Sequence, residues 1–381
     1  MRSERRPTAA IVGAGIAGLA AAIALHQAGY AVEVFDRAPQ LKPAGGALSL
    51  WANAVAALDR LGALDRIAAV AAPIETMMLG EVGRAPLIPP MSIRDPAAPS
   101  ARAYLVTRTL LQRALLDALR DVPLNLASTV TTVDQAPDAA RLVVNGDRQV
   151  IADIAVIADG IWSSTATILL GNAPTYRGYG GVLGISDRID GAGDDGLLVE
   201  YWGRNERFGI GDVGGGQRYW FYMQDVPADA PPPTHTFVAD HADGFGSATL
   251  TRAIATTPPD RLIPFPIHAR PAPRQLGKGR ILCIGDAAHA MESNLGQGAC
   301  QALEDALALG IAAQQCSPRD ICRAVERLRL ARIRMVVRRA VEPRYMVHGP
   351  IWRQRLLRAA FRLVPDAVVA RGIARIHRLP F

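Results

Sequence analysis

The sequence is short of the residues that mark several classes of protein. It has only four cysteines, Cys283, Cys300, Cys316 and Cys322, with no Cys-x-x-Cys pair and no close His partner. That suggests neither a zinc site nor a disulfide framework and favours core thiols in a reducing compartment. No metal ligand set, no DNA- or RNA-binding motif and no internal repeat stands out, so a nucleic-acid partner is not expected. One uncharged run, Pro7 to Leu25, imitates a signal peptide or a short membrane span. Three glycines punctuate it, and cleavage after it would remove the strand that the next segment, "AVEVFDR", needs beside it. A cytoplasmic protein is expected.

Charge is present but unevenly placed. The chain carries a formal net charge of +7, yet residues 319–381 hold 16 Arg against 4 acidic residues, so the first 318 residues are net acidic. Such a C-terminal region reads first as the solvated face of helices, with contact to a membrane surface or an acidic partner as the alternative. Nothing in the sequence speaks to an oligomer.

At 381 residues the chain exceeds one compact core and is expected to hold two domains. Residues 8 to 36 read as strand, glycine turn, helix and strand, a βαβ unit. Apolar spacing near 3.6 predicts helices over "AVAALDRLGALDRIAAVA", residues 54–71, and "TRTLLQRALLDAL", residues 107–119. "DIAVIADG" predicts a buried strand closed by Asp-Gly. Alternating aromatic stretches from 174 to 270, such as "LLVEYWG", "RFGIGDV" and "RYWFYMQ", predict a mainly antiparallel domain inserted between parts of the first. "GRILCIGDAAHA" returns to a buried strand, and the tail after 318 is helical with Arg on its exposed positions.

The strongest local signal is Gly13-Ala14-Gly15-Ile16-Ala17-Gly18, a G-x-G-x-x-G turn between a strand and a helix. The first glycine permits the turn, the second admits a pyrophosphate to the backbone, and the third lets helix pack on strand. The second strand ends in Asp36, where a carboxylate can accept both hydroxyls of an unphosphorylated ribose. Glu33, inside that strand, is its rival. The alternative is a structural glycine turn with a surface acid, and the turn alone does not separate NAD from FAD.

Together with that turn, "IADGIWSS" at 157–164 and "GRILCIGDAAHAMESNLGQGACQALEDA" at 279–306 resemble the three signatures of the class A flavoprotein monooxygenases, single-chain FAD hydroxylases. "NLGQGACQALEDA" is most similar to the branch of the urate hydroxylases and zeaxanthin epoxidases. The resemblance implies an α/β fold: a Rossmann-like FAD-binding domain of the p-hydroxybenzoate hydroxylase type, with an inserted mainly antiparallel β-sheet substrate domain and a C-terminal helical tail. The FAD-binding domain would take residues 1–72, 101–173 and 273–318, the substrate domain 73–100 and 174–272, and the helical region 319–381.

By the same resemblance, Gly13, Gly15, Ala17 and Gly18 cradle the FAD pyrophosphate, and Asp36 and Arg37 flank its adenosine ribose. Ser49 lies in the loop passing the flavin, Arg108 reaches the phosphate and ribityl region, and Val130 lies at the adenine. Asp286 binds the ribityl chain, while Gly296, Gln297, Gly298 and Ala299 bring a helix N-terminus to the isoalloxazine, where oriented amides stabilise reduced flavin. Asp159 and Gly160 touch both FAD and a transient NADH or NADPH donor. The implied reaction reduces FAD and transfers one atom of O2 to an electron-rich carbon of an aromatic or polyene-like small molecule. A reductase or dehydrogenase of an apolar substrate and a redox-silent FAD-binding protein are the alternatives.

The catalytic assignments are less specific. Arg207, in "YWGRNERFGIG", matches an arginine placed over the active site, or is an edge-strand arginine facing water. His289 is a general base or, more simply, a satisfied structural histidine. The chain also departs from the family pattern twice. Ala166 stands where an arginine usually helps hold the Asp159-Gly160 motif, and Glu292-Ser293 stand where Thr-Pro is usual. Glu292 is a base or proton donor if buried, or a solvated acid on a loosened loop.

Overall fold

The computed structural model describes residues 5–41, 45–93, 102–188 and 196–381. Its first layer is a six-stranded sheet with the apolar strands Thr8–Val12 and Ile154–Ile157 at the centre, Ala31–Phe35 and Ile281–Cys283 beside them, and two short strands at the edges. The four inner strands run parallel, Val12 pairing with Phe35 and Ile157, and Ile157 with Cys283. Strands buried on both faces read as continuous apolar runs. Their shared direction brings Gly13, Asp36, Ala158 and Ile284 to one edge. Helix Ile16–Gln27 is alanine-rich, which lets helix Gly298–Gln315 lie close against it: a Cβ on Gly310 would fall 3.1 Å from Ala24 Cβ.

The second layer is a seven-stranded, mainly antiparallel sheet. Its order is Ile263–Ala269, Thr175–Asp187, Gln217–Asp225, Glu206–Gly214, Leu197–Trp202, Thr76–Glu81 and Arg84–Ser92. Side chains alternate between its faces. Val199, Phe208, Ile210, Trp220 and Tyr222 pack beneath helices His235–Ala242 and Ala248–Ala255. Leu183, Arg207, Tyr219 and Phe221 fall on the opposite face by register, and Leu183 and Tyr219 there meet Gly46 of the first domain.

Three sequence expectations change. The helix predicted over 54–71 is two helices, Ala52–Arg60 and Leu64–Ala68, broken where Gly62 adopts φ +69°. Two helices interrupt the expected run of strands after the proline cluster; they are marked by the caps Thr234 and Ser247, whose hydroxyls accept from Phe237 N and Leu250 N. The arginines of the tail, made of helices Ile321–Val347, Ile351–Phe361 and Asp366–His377, are not all exposed: Arg329 and Arg358 are buried.

Candidate functional site

Several loops converge at the carboxyl edge of the parallel sheet, where open α/β sheets bind ligands. Gly13 has φ +103°, and a Cβ there would fall 2.4 Å from Ala158 O, while one on Gly18 would fall 1.9 Å from Gly13 O. Neither position admits a side chain. A Cβ on Gly15 would instead meet nothing within 4 Å, at the start of a helix that has no side-chain cap. Open backbone at a helix N-terminus is an anion site. Ala17 closes the floor, 2.8 Å from where a Cβ on Gly285 would lie.

Asp36 holds the next corner. Its carboxylate accepts from Ala14 N at 2.7 Å and Ala38 N at 2.8 Å. Ala127 N and Ser128 N donate to Ala38 O and Asp36 O at 3.0 and 2.8 Å, which brings the strand beginning at Val130 to the same corner. Glu33 faces elsewhere and pairs with Arg148 at 3.4 Å. Asp159, at the end of the Ile154–Ile157 strand, lies in the field of Arg270 and the exposed Arg37.

The far wall joins segments distant in sequence. A Cβ on Gly296 would fall 3.0 Å from Trp51 Nε1 and 3.4 Å from Ser49 Oγ, and one on Gly298 would fall 4.0 Å from Asp286 Oδ1. Helix Gly298–Gln315 starts here with no side-chain cap, leaving its first amides, Ala299 included, for a ligand. Arg108 is exposed beside the Gly45–Gly46 loop, its amide donating to Gly46 O at 3.0 Å. Gln297 Oε1 accepts from Asn53 and Gln301, but the buried donors Gln297 Nε2 and Trp51 Nε1 have no partner among the described residues. Unpartnered buried donors fit a site that completes its hydrogen bonds with a polar ligand.

Beneath this wall lies a buried charged network. His289 Nε2 is 2.6 Å from Asp305 Oδ2, which also accepts from Gly285 N at 3.0 Å, and Arg329 Nε donates to Asp305 Oδ1 at 2.8 Å. Burial pushes the Asp305 carboxyl pKa up, but His289 and Arg329 outweigh it and hold the pKa down at about 2. Fully buried Glu304 accepts from Arg329, from Arg332 and from Asn53 Nδ2. The structure therefore places His289 as a brace under the Gly285 turn, 1% exposed.

On the seven-stranded sheet, Arg207 is 3% exposed on an internal strand, so it does not face water. It donates to Glu200 Oε1 at 2.9 Å and Asn294 Oδ1 at 2.6 Å, and its guanidinium carbon lies 5.8 and 5.7 Å from the ring centroids of Tyr179 and Phe221. Glu292 is buried too, which overturns the solvated-acid reading. Arg177 Nε donates to its Oε1 at 2.8 Å, Arg344 lies 3.4 Å from the same oxygen, and the Tyr179 hydroxyl donates to Oε2 at 3.0 Å. Burial pushes the Tyr179 pKa up, Arg207 pulls it back and Glu292 raises it again, so the hydroxyl stays protonated at neutral pH. Ser293 opens a short 3-10 turn, Ser293–Leu295, that presents Asn294 to both Arg207 and Tyr179.

A family profile described as "FAD binding domain" matches residues 6–316. The chain belongs to the FAD-binding-domain family. It is 34% identical over 306 residues to the aurachin C monooxygenase/isomerase of Stigmatella aurantiaca, covering 79% of each chain. It is 29% identical over 357 residues to the FAD-dependent urate hydroxylase of Klebsiella pneumoniae, covering 90% of each. The structure of Klebsiella pneumoniae HpxO complexed with FAD and uric acid has the same fold, with a TM-score of 0.87 and 24% identity over 97% of this chain and 96% of that one. The resemblance to class A flavoprotein monooxygenases drawn from the three motifs therefore stands. This flavoprotein is an FAD-dependent monooxygenase.

Several residues around the site belong to no motif. Arg270, just beyond strand Ile263–Ala269, is 2% exposed and donates to Ile161 O, Ser163 O and Asn172 O at 2.6, 3.0 and 3.1 Å. It braces the segment after Asp159-Gly160, while Ala166 is fully buried in the helix that follows. Tyr179, Asn294, Arg177 and Arg344 are fixed only by tertiary pairing. Trp51 alone has a sequence cue, standing two residues beyond Ser49 and, like it, beside Gly296.

Proposed function

We propose that this FAD-dependent monooxygenase oxygenates a flat aromatic or polyene-like small molecule, held between the cradle and the inner face of the seven-stranded sheet. The observation that carries this is buried Arg207 among Tyr179 and Phe221, on the sheet face whose Leu183 and Tyr219 abut the Gly45–Gly46 loop. Such a face offers aromatic walls and one cation to an electron-rich ring.

The residues present fit FAD. Gly13, Gly15, Ala17 and Gly18 would hold its pyrophosphate, Asp36, Arg37 and Val130 its adenosine, Arg108 and Asp286 its phosphate and ribityl region. Ser49 and the helix start at Gly296, Gln297, Gly298 and Ala299 would meet the isoalloxazine, with Asp159 and Gly160 at its edge. When bound, FAD supplies acceptance of hydride from NADH or NADPH and activation of O2. The protein excludes water, orients the substrate and supplies fixed donors where negative charge develops. Arg207 keeps Nε buried without a partner among the described residues, a donor available to a substrate oxygen. Glu292 has both oxygens engaged, so it acts by positioning Tyr179 and Asn294, and through them Arg207, rather than as the base.

The test is NAD(P)H oxidation under 18O2 with mass spectrometry of the product, using a panel that includes urate and aurachin C. One labelled oxygen per product is expected. Substrate-dependent turnover without label incorporation would sink the oxygenation and favour a reductase.

A further inference from the structure

The C-terminal helices lie outside the family profile, which ends at residue 316, and one of them is built inside out. Helix Ile351–Phe361 packs Phe361 against the cluster of Leu79, Ile88 and Trp202, but its most buried side chains are polar and tie it to the seven-stranded sheet and to the end of helix Ile321–Val347. Arg358 donates to Met346 O at 2.7 Å, Gly203 O at 2.8 Å and Glu81 Oε1 at 3.1 Å, and Gln354 donates to Gly349 O at 2.8 Å and to Asn205. Gln354 and Arg358 are 3% and 6% exposed, while Trp352, Leu356 and Leu363 are 69%, 60% and 84% exposed. Residues 352, 356, 359 and 363 recur at helical spacing, and Arg362 keeps helical dihedrals of φ −62° and ψ −19°, so Leu363 continues the same stripe. Beyond the turn, Val368 adds another exposed apolar side chain. A surface helix ordinarily turns its apolar stripe to the core. This one turns it outward.

The surrounding charge selects the partner. From Pro343 to the end of the chain there are eight arginines and a single acid, Asp366. Arg355 is exposed next to Leu356 in sequence, and Arg371 and Arg375 are exposed on the helix that carries Val368, at helical spacing from it. A second copy docked face to face would set like charges against each other. An anionic lipid surface matches the charge, takes a Trp at headgroup depth, and accepts shallow apolar side chains. Among the described residues no helix is long and apolar enough to cross a membrane. We propose that this face is a peripheral docking surface for anionic membranes, with Trp352, Leu356 and Leu363 inserted among headgroups and the arginines on lipid phosphates.

The experiment is vesicle flotation of the full-length, FAD-loaded protein, with phosphatidylcholine alone and with phosphatidylcholine containing about one-third phosphatidylglycerol. Binding is expected only to the anionic vesicles, weakened roughly tenfold by each of Trp352→Glu, Leu363→Glu, the pair Arg355→Gln/Arg371→Gln, and high salt. Anionic vesicles should blue-shift tryptophan emission in the wild type but not in Trp352→Phe. All these positions are on the surface, and unchanged melting of each variant confirms that it folds. No flotation of the wild type on anionic vesicles overturns the proposal. So does a concentration-dependent dimer in sedimentation velocity that Trp352→Glu abolishes while vesicle binding is unaffected, which makes the face a self-interface.

Discussion

At the scale of single residues, the two candidate bases are each held by charged or polar partners, but in different ways. His289 is tied to Asp305, and replacing it with Gln should lower stability and FAD affinity while leaving the pH profile of kcat unmoved; a lost limb in that profile would restore it as a base. Glu292→Gln removes the charge that Arg177 and Arg344 share. Its expected signature is a raised KM with an unchanged pH profile, read by steady-state kinetics. Asp305 makes the sharpest thermodynamic case. An acid held at about 2 in the fold against an ordinary 3.8 stabilises the protein fully above that ordinary value and loses the contribution as pH falls through about 2. The stability difference between wild type and Asp305→Asn in urea should therefore shrink by about 2 kcal/mol from pH 5 to pH 2. Arg329→Met, which leaves Glu304 and Asp305 buried without their shared cation, should cost about 3–5 kcal/mol.

At the scale of elements, what could be read in advance was whatever a local period or a local turn encodes. The Thr8–Val12 strand, the Gly13–Gly18 turn and the Gly298–Gln315 helix all announce themselves, because continuous apolar runs and glycine spacing are properties of neighbouring residues. Arg207 and Glu292 were visible as candidates but their surroundings were not, since Asn294, Tyr179 and Arg344 reach them only through strand register and helix packing. The last helix shows the same limit. Its His377 stacks on Trp51 with ring centroids 4.2 Å apart and an interplanar angle of 12°, a pairing no spacing foretells. Burial, helped by Arg332, lowers the His377 pKa to about 3. A histidine whose folded pKa lies below its ordinary 6.5 contributes docking that is complete above that value and lost as pH falls toward 3. Acidification through that window should release the tail, seen as faster proteolysis after residue 370, and His377→Phe should make docking insensitive to it.

At the scale of the whole molecule, the tail and the cradle share one set of contacts. Arg332 donates both to Glu304, on the helix that begins at Gly298, and to Ile376 O at 2.8 Å, while Arg60, on the helix that follows Trp51, donates to Phe381 O at 3.0 Å. His377 covers Trp51, whose Nε1 lies against Gly296 of the cradle wall. If FAD meets the Gly296 wall as proposed, docking of the tail orders residues that FAD also needs, and the two events are expected to assist each other. Linkage makes the assistance reciprocal: whatever factor the tail adds to FAD affinity, FAD adds to tail docking. Deleting residues 377–381 should weaken FAD binding by roughly tenfold, a coupling in the ordinary range of about 1–3 kcal/mol, measured by quenching of flavin fluorescence. Hydrogen exchange of residues 366–376 in the intact protein should slow by a similar factor when FAD is added. Weaker FAD binding with unchanged exchange would assign the loss to damage at Trp51 alone, because a true coupling has to appear from both ends.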